Sequence, residues 1–169
     1  MGSCTGPTGK VVFVTSSVYD GNLGGLAGAD LICQTEAEDA GLSGTYKAWL
    51  ADSTGAAPIN SFVHSDLPYV LVDHTVVAND WVDLTDRSLA NPINSTPYGY
   101  LPSVPYVWTN VSPGGVALTT NPIESCGDWT TNSDYVGPWT ETTYVTPEWT
   151  EPAGFELCYV SFSLYCFEQ

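Results

Sequence analysis

The chain has 169 residues and a formal net charge of −16, which comes from 19 acidic residues set against only three Lys plus Arg. This length suits one domain with a single core better than it suits two. Phosphate binding needs clustered Lys and Arg, whereas Lys10, Lys47 and Arg87 stand singly, so we expect neither a nucleic-acid partner nor insertion into a membrane.

Residues 1–9 are predicted to be a tail that precedes one domain, residues 10–169. Met1-Gly2-Ser3 reads as a cloning remnant, and the Gly6-Pro7-Thr8-Gly9 segment resembles the end of a collagen-like linker. No apolar stretch of signal length follows Met1, so we expect a mature or truncated fragment. Cys4 is the odd one of five cysteines. It is expected to be free in a frayed tail, to carry a lipid anchor, or to bond to another chain.

The first half of the domain has two clear periodic signals. Residues 11–15 form a continuous, mostly β-branched run, which predicts a buried strand. The apolar spacing between residues 26 and 40 predicts a helix that ends at Gly41 and turns Cys33 inward.

The remaining segments have shorter or weaker patterns. Residues 46–51 predict a strand or a passage from helix to strand, and residues 81–86 predict a short strand or one turn of helix. Two further strands are predicted at residues 69–73 and 106–111. Residues 112–155 are rich in Gly, Pro, Ser and Thr without a helical period, so they predict a long loop region. The run from Cys158 to the end is apolar and β-forming.

Several segments resemble, in this order, a bacterial family of uncharacterised lectin-like domains: VVFVTSSVYDGNLGGLAGADLICQ, TYKAWLADS, DLPYVLVDHTVVANDWVDLTD, NPIN, YVWTN, CGDWT and LYCFEQ. The resemblance covers almost all of residues 11–169. It implies an α+β fold of C-type-lectin or endostatin-like type, with a mixed, mostly antiparallel sheet, a core helix, a long loop region and two disulfides. This chain has Asn110 where the resemblance implies a Gly.

The four cysteines of the domain, Cys33, Cys126, Cys158 and Cys166, can pair in three ways. The resemblance implies the nested pairs Cys33 with Cys166 and Cys126 with Cys158. Similar domains are often attached to extracellular proteins, some of them behind collagen-like repeats. Disulfides also form in oxidising compartments, so we expect an extracellular or cell-surface location.

The predicted loop region combines aromatic rings with carboxylates. Sugars present CH faces that stack on aromatic rings, and hydroxyls that hydrogen-bond to carboxylates and amides. The candidate ligand-binding residues are Asp134, Tyr135, Trp139, Glu141, Glu148 and Trp149. The alternative interpretation is that these aromatic residues pack the loop onto the body. Trp129 follows Cys126 closely and is expected to lie in the core.

Calcium is the one cofactor that the composition suggests, in a structural role, because carboxylates and carbonyls are its usual ligands. The Glu151-Pro152-Ala153 and Trp108-Thr109-Asn110 segments match the calcium-binding tripeptides of sugar-binding C-type lectins in neither residue nor order. The chain has no nucleophile elbow, phosphate loop or metalloprotease helix, so we do not expect an enzyme.

These observations predict an extracellular binding or adhesion module at the tip of a fibre or surface protein, with a carbohydrate or surface glycoconjugate as its ligand. The alternative is a structural cap that forms a homotrimer at the end of a collagen-like or fibre stalk and binds no glycan.

Overall fold

The computed structural model describes residues 9–169, so the predictions for Cys4 and the rest of the tail before Gly9 lie outside the described residues. Within this range the fold is mixed α+β, with two sheets and two disulfides. No helix in the described range has the length and hydropathy needed to cross a membrane.

Within the described residues, eight short strands build the two sheets. They are β1 (Lys10–Val14), β2 (Tyr46–Ala48), β3 (Tyr69–Val70), β4 (Val76–Ala78), β5 (Tyr106–Trp108), β6 (Val136–Glu141), β7 (Gly154–Leu157) and β8 (Tyr165–Glu168). The larger sheet has the order β2-β8-β1-β3-β4, and the smaller sheet has the order β5-β6-β7. Only β1 and β3 pair in parallel among these neighbours, so the prediction of a mixed, mostly antiparallel sheet is confirmed.

Strand β1 lies at the centre of the larger sheet and is covered on both faces. Val12 and Val14 belong to one buried cluster that contains Trp49, whereas Phe13 belongs to a second cluster with the helix residue Cys33. A strand that is buried on both sides needs no polar alternation, which explains the continuous apolar run in the sequence.

Helix α1 (Gly25–Asp39) is the longest helix among residues 9–169, and α2 (Pro58–Ser61) and α3 (Trp81–Leu84) are single turns. The helix predicted for residues 26–40 is confirmed. Asp30 of α1 accepts a hydrogen bond from the Ala48 amide at 2.9 Å, and Gln34 accepts one from the Tyr46 amide at 2.8 Å. These two bonds satisfy amides of β2, a strand at the edge of its sheet.

Both predicted disulfides are confirmed. Cys33 on α1 bonds to Cys166 on β8, and Cys126 bonds to Cys158. The first bond holds α1 against the strand that lies between β1 and β2. The second bond closes the shorter loop, which contains β6 and β7.

The long region predicted as loop contains regular structure, so that prediction is wrong for residues 154–155, where β7 begins, and for residues 136–141. Strand β6 lies there and pairs with both β5 and β7. Gly137 and Pro138 interrupt the usual strand composition, and Pro lacks the amide that a central strand normally donates. The apolar run that begins at Cys158 also forms a strand only from Tyr165 onward.

Residues Cys126–Trp129 form one left-handed turn. Their φ angles are 51°, 60°, 57° and 64°, a conformation that costs L-residues about 1–2 kcal/mol each. The Asp128 carboxylate opposes this strain by accepting bonds from the Ser53 amide (2.8 Å), the Ser53 hydroxyl (2.9 Å) and the Ser125 hydroxyl (3.1 Å). The buried Trp129 indole donates to the Ala51 carbonyl at 2.8 Å.

Replacing Asp128 with Ala should lower the free energy of unfolding by about 2 kcal/mol, because a charged acceptor of three bonds is lost and the Ser53 amide loses its partner. Asp128→Asn is the matched control, since Asn also tolerates the left-handed conformation and keeps one acceptor oxygen. Urea denaturation followed by Trp fluorescence measures both variants. If the two losses are equal and small, the carboxylate does not hold the turn.

Candidate functional site

Trp139 lies in the middle of β6 and is half-buried. Its ring meets the Tyr106 ring edge-on at a centroid distance of 5.1 Å, and it lies 5.8 Å from the Phe162 ring. The indole therefore packs on an aromatic cluster and leaves only part of its surface to solvent. This position is compatible with both interpretations of the residue, a packing role and a ligand platform.

The four other surface candidates separate into two groups. Asp134 and Tyr135 precede β6 and are exposed, whereas Glu141 is the last residue of that strand. Six extended residues span about 20 Å, so one sugar ring does not contact both ends of the strand.

Glu148 lies near the end of β6 that carries Glu141, because the Glu148 carbonyl accepts a hydrogen bond from the hydroxyl of the β6 residue Thr140. A hydrogen bond from Thr146 keeps the pKa of the exposed Glu148 carboxyl below its usual value.

The structure contradicts the prediction that Trp149 is a ligand-binding residue. Trp149 is fully buried, with ring centroids 5.1 Å from Trp49 and 6.0 Å from Tyr165. The 3-10 turn Pro147–Trp149 directs this side chain into the core, so no ligand can stack on it in this structure. The prediction that Trp149 is a ligand platform is therefore wrong, and the packing interpretation is right for this residue. The core position predicted for Trp129 is confirmed.

A groove of about 570 Å³ lies elsewhere, between α1, the segment that follows β1, and Tyr98. We call it the α1 groove. It is lined by Ser16, Ser17, Tyr19, Leu23, Gly28, Leu31, Ile32, Thr35, Glu36, Asp39 and Tyr98. The lining mixes apolar side chains with hydroxyls, phenols and carboxylates. None of the candidate residues from the predicted loop region belongs to it.

Glu36 holds one wall of the α1 groove in place. Its buried carboxylate accepts bonds from the Ser16 amide (2.7 Å), the Ser16 hydroxyl (2.6 Å), the Ser17 amide (3.1 Å) and the Tyr19 hydroxyl (2.9 Å). Burial, and then the bond to the Glu36 carboxylate, raise the pKa of Tyr19 to about 12. The Tyr19 hydroxyl therefore stays a neutral donor at physiological pH, and this wall is fixed.

The groove also presents side chains that are free to meet a ligand, Leu31 on α1 itself and Tyr98 on a separate segment. Leu31 is 67% exposed and Tyr98 is 50% exposed, although both are large and apolar. Tyr98 stands on a tight turn in which the Gly99 amide donates to the Thr96 carbonyl at 3.0 Å. Gly99 has a φ of +86°, which other residues adopt at a cost, so the turn is well specified.

Sequence reasoning missed the α1 groove because its walls come from three segments that are distant along the chain. One signal was visible. Leu31 is a large apolar residue on the outer side of α1, and the Tyr98-Gly-Tyr-Leu run places three large apolar residues in a turn. Large apolar side chains on a helix exterior and a turn favour a contact surface.

No group of three or more His, Cys, Asp and Glu side chains in residues 9–169 is arranged to hold a metal ion. Structural calcium therefore stays a prediction without a located site.

No known family model matches this chain, and no curated protein matches it. The lectin-like family therefore stays a prediction.

Proposed function

We propose that this chain is a C-type-lectin-like binding domain of an extracellular or surface protein, and that it recognises a glycan in the α1 groove. The observation that carries this proposal is the groove lining. Tyr98 and Leu31 offer surfaces for the CH face of a sugar ring, while Thr35 and Asp39 offer a hydroxyl and a carboxylate for its hydroxyl groups. A groove of about 570 Å³ also falls within the usual range for small-ligand sites.

A disulfide and hydrogen bonds hold the walls of the groove in place without a ligand, and this rigidity favours binding. The Cys33–Cys166 disulfide fixes α1 on the larger sheet, and the four bonds to Glu36 fix the segment of residues 16–19. A rigid site loses less conformational entropy on binding, so weak individual contacts give more affinity. Two disulfides also support a location outside the cytosol.

The hydrogen bonds of Glu36 favour a binding role for the groove over a catalytic role. Glu36 is the buried acid of the groove, and four donors already occupy its oxygens. A general acid or base needs a proton that it can give or take at the substrate. Glu36 is therefore a fixed part of the wall rather than a general acid or base, and we propose a binding role for the groove.

A structural role between subunits is the second candidate, and it has one observation in its favour. Tyr100 and Leu101 are each 75% exposed beside Tyr98, which gives the turn an apolar tip. The net charge of −16 opposes close approach of identical copies at low salt. Sedimentation at 0.5 M salt distinguishes the roles, because a stable trimer would favour a cap and a monomer would favour the binding module.

A glycan array with the intact chain, followed by calorimetry on each hit, tests the binding proposal. Tyr98→Ala should weaken binding tenfold or more, since a stacked aromatic ring contributes roughly 1–3 kcal/mol. Tyr135→Ala is the matched control, because Tyr135 is also an exposed tyrosine but lies next to β6. Loss of binding in Tyr135→Ala or Trp139→Ala, with Tyr98→Ala unaffected, would place the site at β6 instead. An array without hits would contradict glycan binding.

A further inference from the structure

The outward side of α1 presents a regular row of three side chains to the groove. Leu31, Thr35 and Asp39 are spaced four residues apart, so they follow one another along the same side of the helix. Each step along the axis is about 6 Å, so the row is about 12 Å long. Its chemistry changes in order from apolar to hydroxyl to carboxylate. A row of this length can contact two or three successive sugar rings.

The charge of the α1 groove is wholly negative. Of the residues that the structure describes, Glu36 and Asp39 line it, and no Lys or Arg does. The three basic side chains of the chain make their contacts elsewhere. Lys10 donates to the Gln169 carbonyl at 2.7 Å, Lys47 donates to the Ser61 carbonyl at 2.8 Å, and Arg87 lies 3.5 Å from Glu151. A uronic acid, a sialic acid or a sulfated sugar would therefore meet repulsion without a compensating cation.

Asp39 is the carboxylate that remains available to a ligand. Three carboxylates, those of Glu36, Glu38 and Asp39, lie in the last turn of α1, where the helix macrodipole is negative and disfavours them. Within residues 9–169, four donors reach Glu36 and the Gln34 amide reaches Glu38, but no hydrogen bond reaches Asp39. Burial and the Glu36 carboxylate are the main causes of the raised pKa of Tyr19, and the nearby Asp39 charge adds a smaller contribution.

We infer that the glycan held by the α1 groove is an amino-sugar oligomer with free amino groups, whose ammonium binds Asp39 while its rings lie along Thr35, Leu31 and Tyr98. This inference rests on the proposed function and adds the chemical class of the ligand. An ammonium group would offset both the unpaired Asp39 charge and the negative end of the helix. The apolar and hydroxyl members of the row favour sugar rings over a simple polyamine, which has no ring face to stack.

The test compares β-linked glucosamine oligomers of three to six rings with fully N-acetylated oligomers of the same length, by calorimetry on the intact chain. The free amines should bind about tenfold more tightly, and the advantage should shrink as salt screens the ion pair. Asp39→Asn should remove that advantage and keep binding of the acetylated oligomer. Asp134→Asn is the matched control, because it removes an exposed carboxylate outside the groove and should leave the advantage intact.

Three outcomes would overturn the inference. If the acetylated oligomer binds as well as the free amine, the ligand is a neutral sugar, and the proposed glycan binding still stands. If oligolysine of equal charge binds as tightly and Tyr98→Ala does not affect it, the attraction is only that of an acidic surface for cations. If neither oligomer binds while the array gives other glycan hits, the class is wrong but the function is not.

Discussion

Replacing Cys33 and Cys166 with Ala should lower the free energy of unfolding more than the same replacement at Cys126 and Cys158. The outer bond joins residues 133 apart and the inner bond joins residues 32 apart. In the loop-entropy model these bonds contribute about 5 and about 4 kcal/mol, because a longer closed loop restricts the unfolded chain more. Urea denaturation of both double variants under the same buffer measures the difference, which should be about 1 kcal/mol.

The two double variants are well matched, since all four cysteines are fully buried and each variant removes the same atoms. The outer variant should also weaken ligand binding, because α1 carries one wall of the groove and loses its covalent link to β8. A larger loss of stability in the inner variant would contradict the entropic account. It would mean that the left-handed turn at Cys126 depends on its bond more than the helix depends on the outer one.

The elements that the sequence predicts well are those whose signal is local. Strand β1 and helix α1 have clear apolar patterns, and the structure forms both close to the predicted bounds. Strand β6 has no such pattern, because Gly137 and Pro138 occupy its interior. A Cβ at Gly137 would lie 2.8 Å from the Cys126 sulfur, so this glycine makes room for a disulfide. Tertiary packing around the disulfide therefore requires a glycine at position 137, and the local sequence does not reveal this requirement.

Asn110 shows a similar dependence on distant contacts. It has a φ of +133°, a conformation that favours glycine, and the lectin-like resemblance implies a glycine at this position. The Asn110 side chain donates to the Ala51 and Thr119 carbonyls, each at 3.2 Å, and accepts from the Thr119 amide at 3.0 Å. These three bonds hold the residue in a strained conformation. The buried Asn110 therefore has a structural role in the core.

Composition could not separate surface from core in the long region. Trp139 and Trp149 both stand beside Pro and acidic residues, and their surroundings in the sequence look alike. The register of β6 places Trp139 opposite Trp108 and Gly154, at the margin of the core, whereas a 3-10 turn directs Trp149 inward. The α1 groove has a related cause, because it is lined by Tyr98 together with α1 residues that lie about 60 positions earlier in the chain.

Replacing Trp149 with Ala should lower the free energy of unfolding by about 3–5 kcal/mol, the usual loss for a large buried aromatic side chain. Trp149 packs against Trp49 and Tyr165, so its removal leaves a cavity beside both rings. Trp139→Ala should cost less, because part of that ring already meets solvent. Thermal and urea unfolding measure both variants. A Trp149→Ala variant with native stability would contradict the core position.

The variants Trp49→Phe and Trp149→Phe refine this test. Both tryptophans are fully buried, and both replacements remove the same side-chain volume. The Trp49 indole N–H donates to the Thr150 hydroxyl at 2.7 Å, whereas the Trp149 indole N–H has no partner among the described residues. Trp49→Phe breaks a buried hydrogen bond, and Trp149→Phe removes a donor that burial leaves unpaired. Trp149→Phe should therefore cost about 1 kcal/mol less than Trp49→Phe. Equal losses would mean that the Trp149 N–H gains a hydrogen bond in solution, for example to an ordered water.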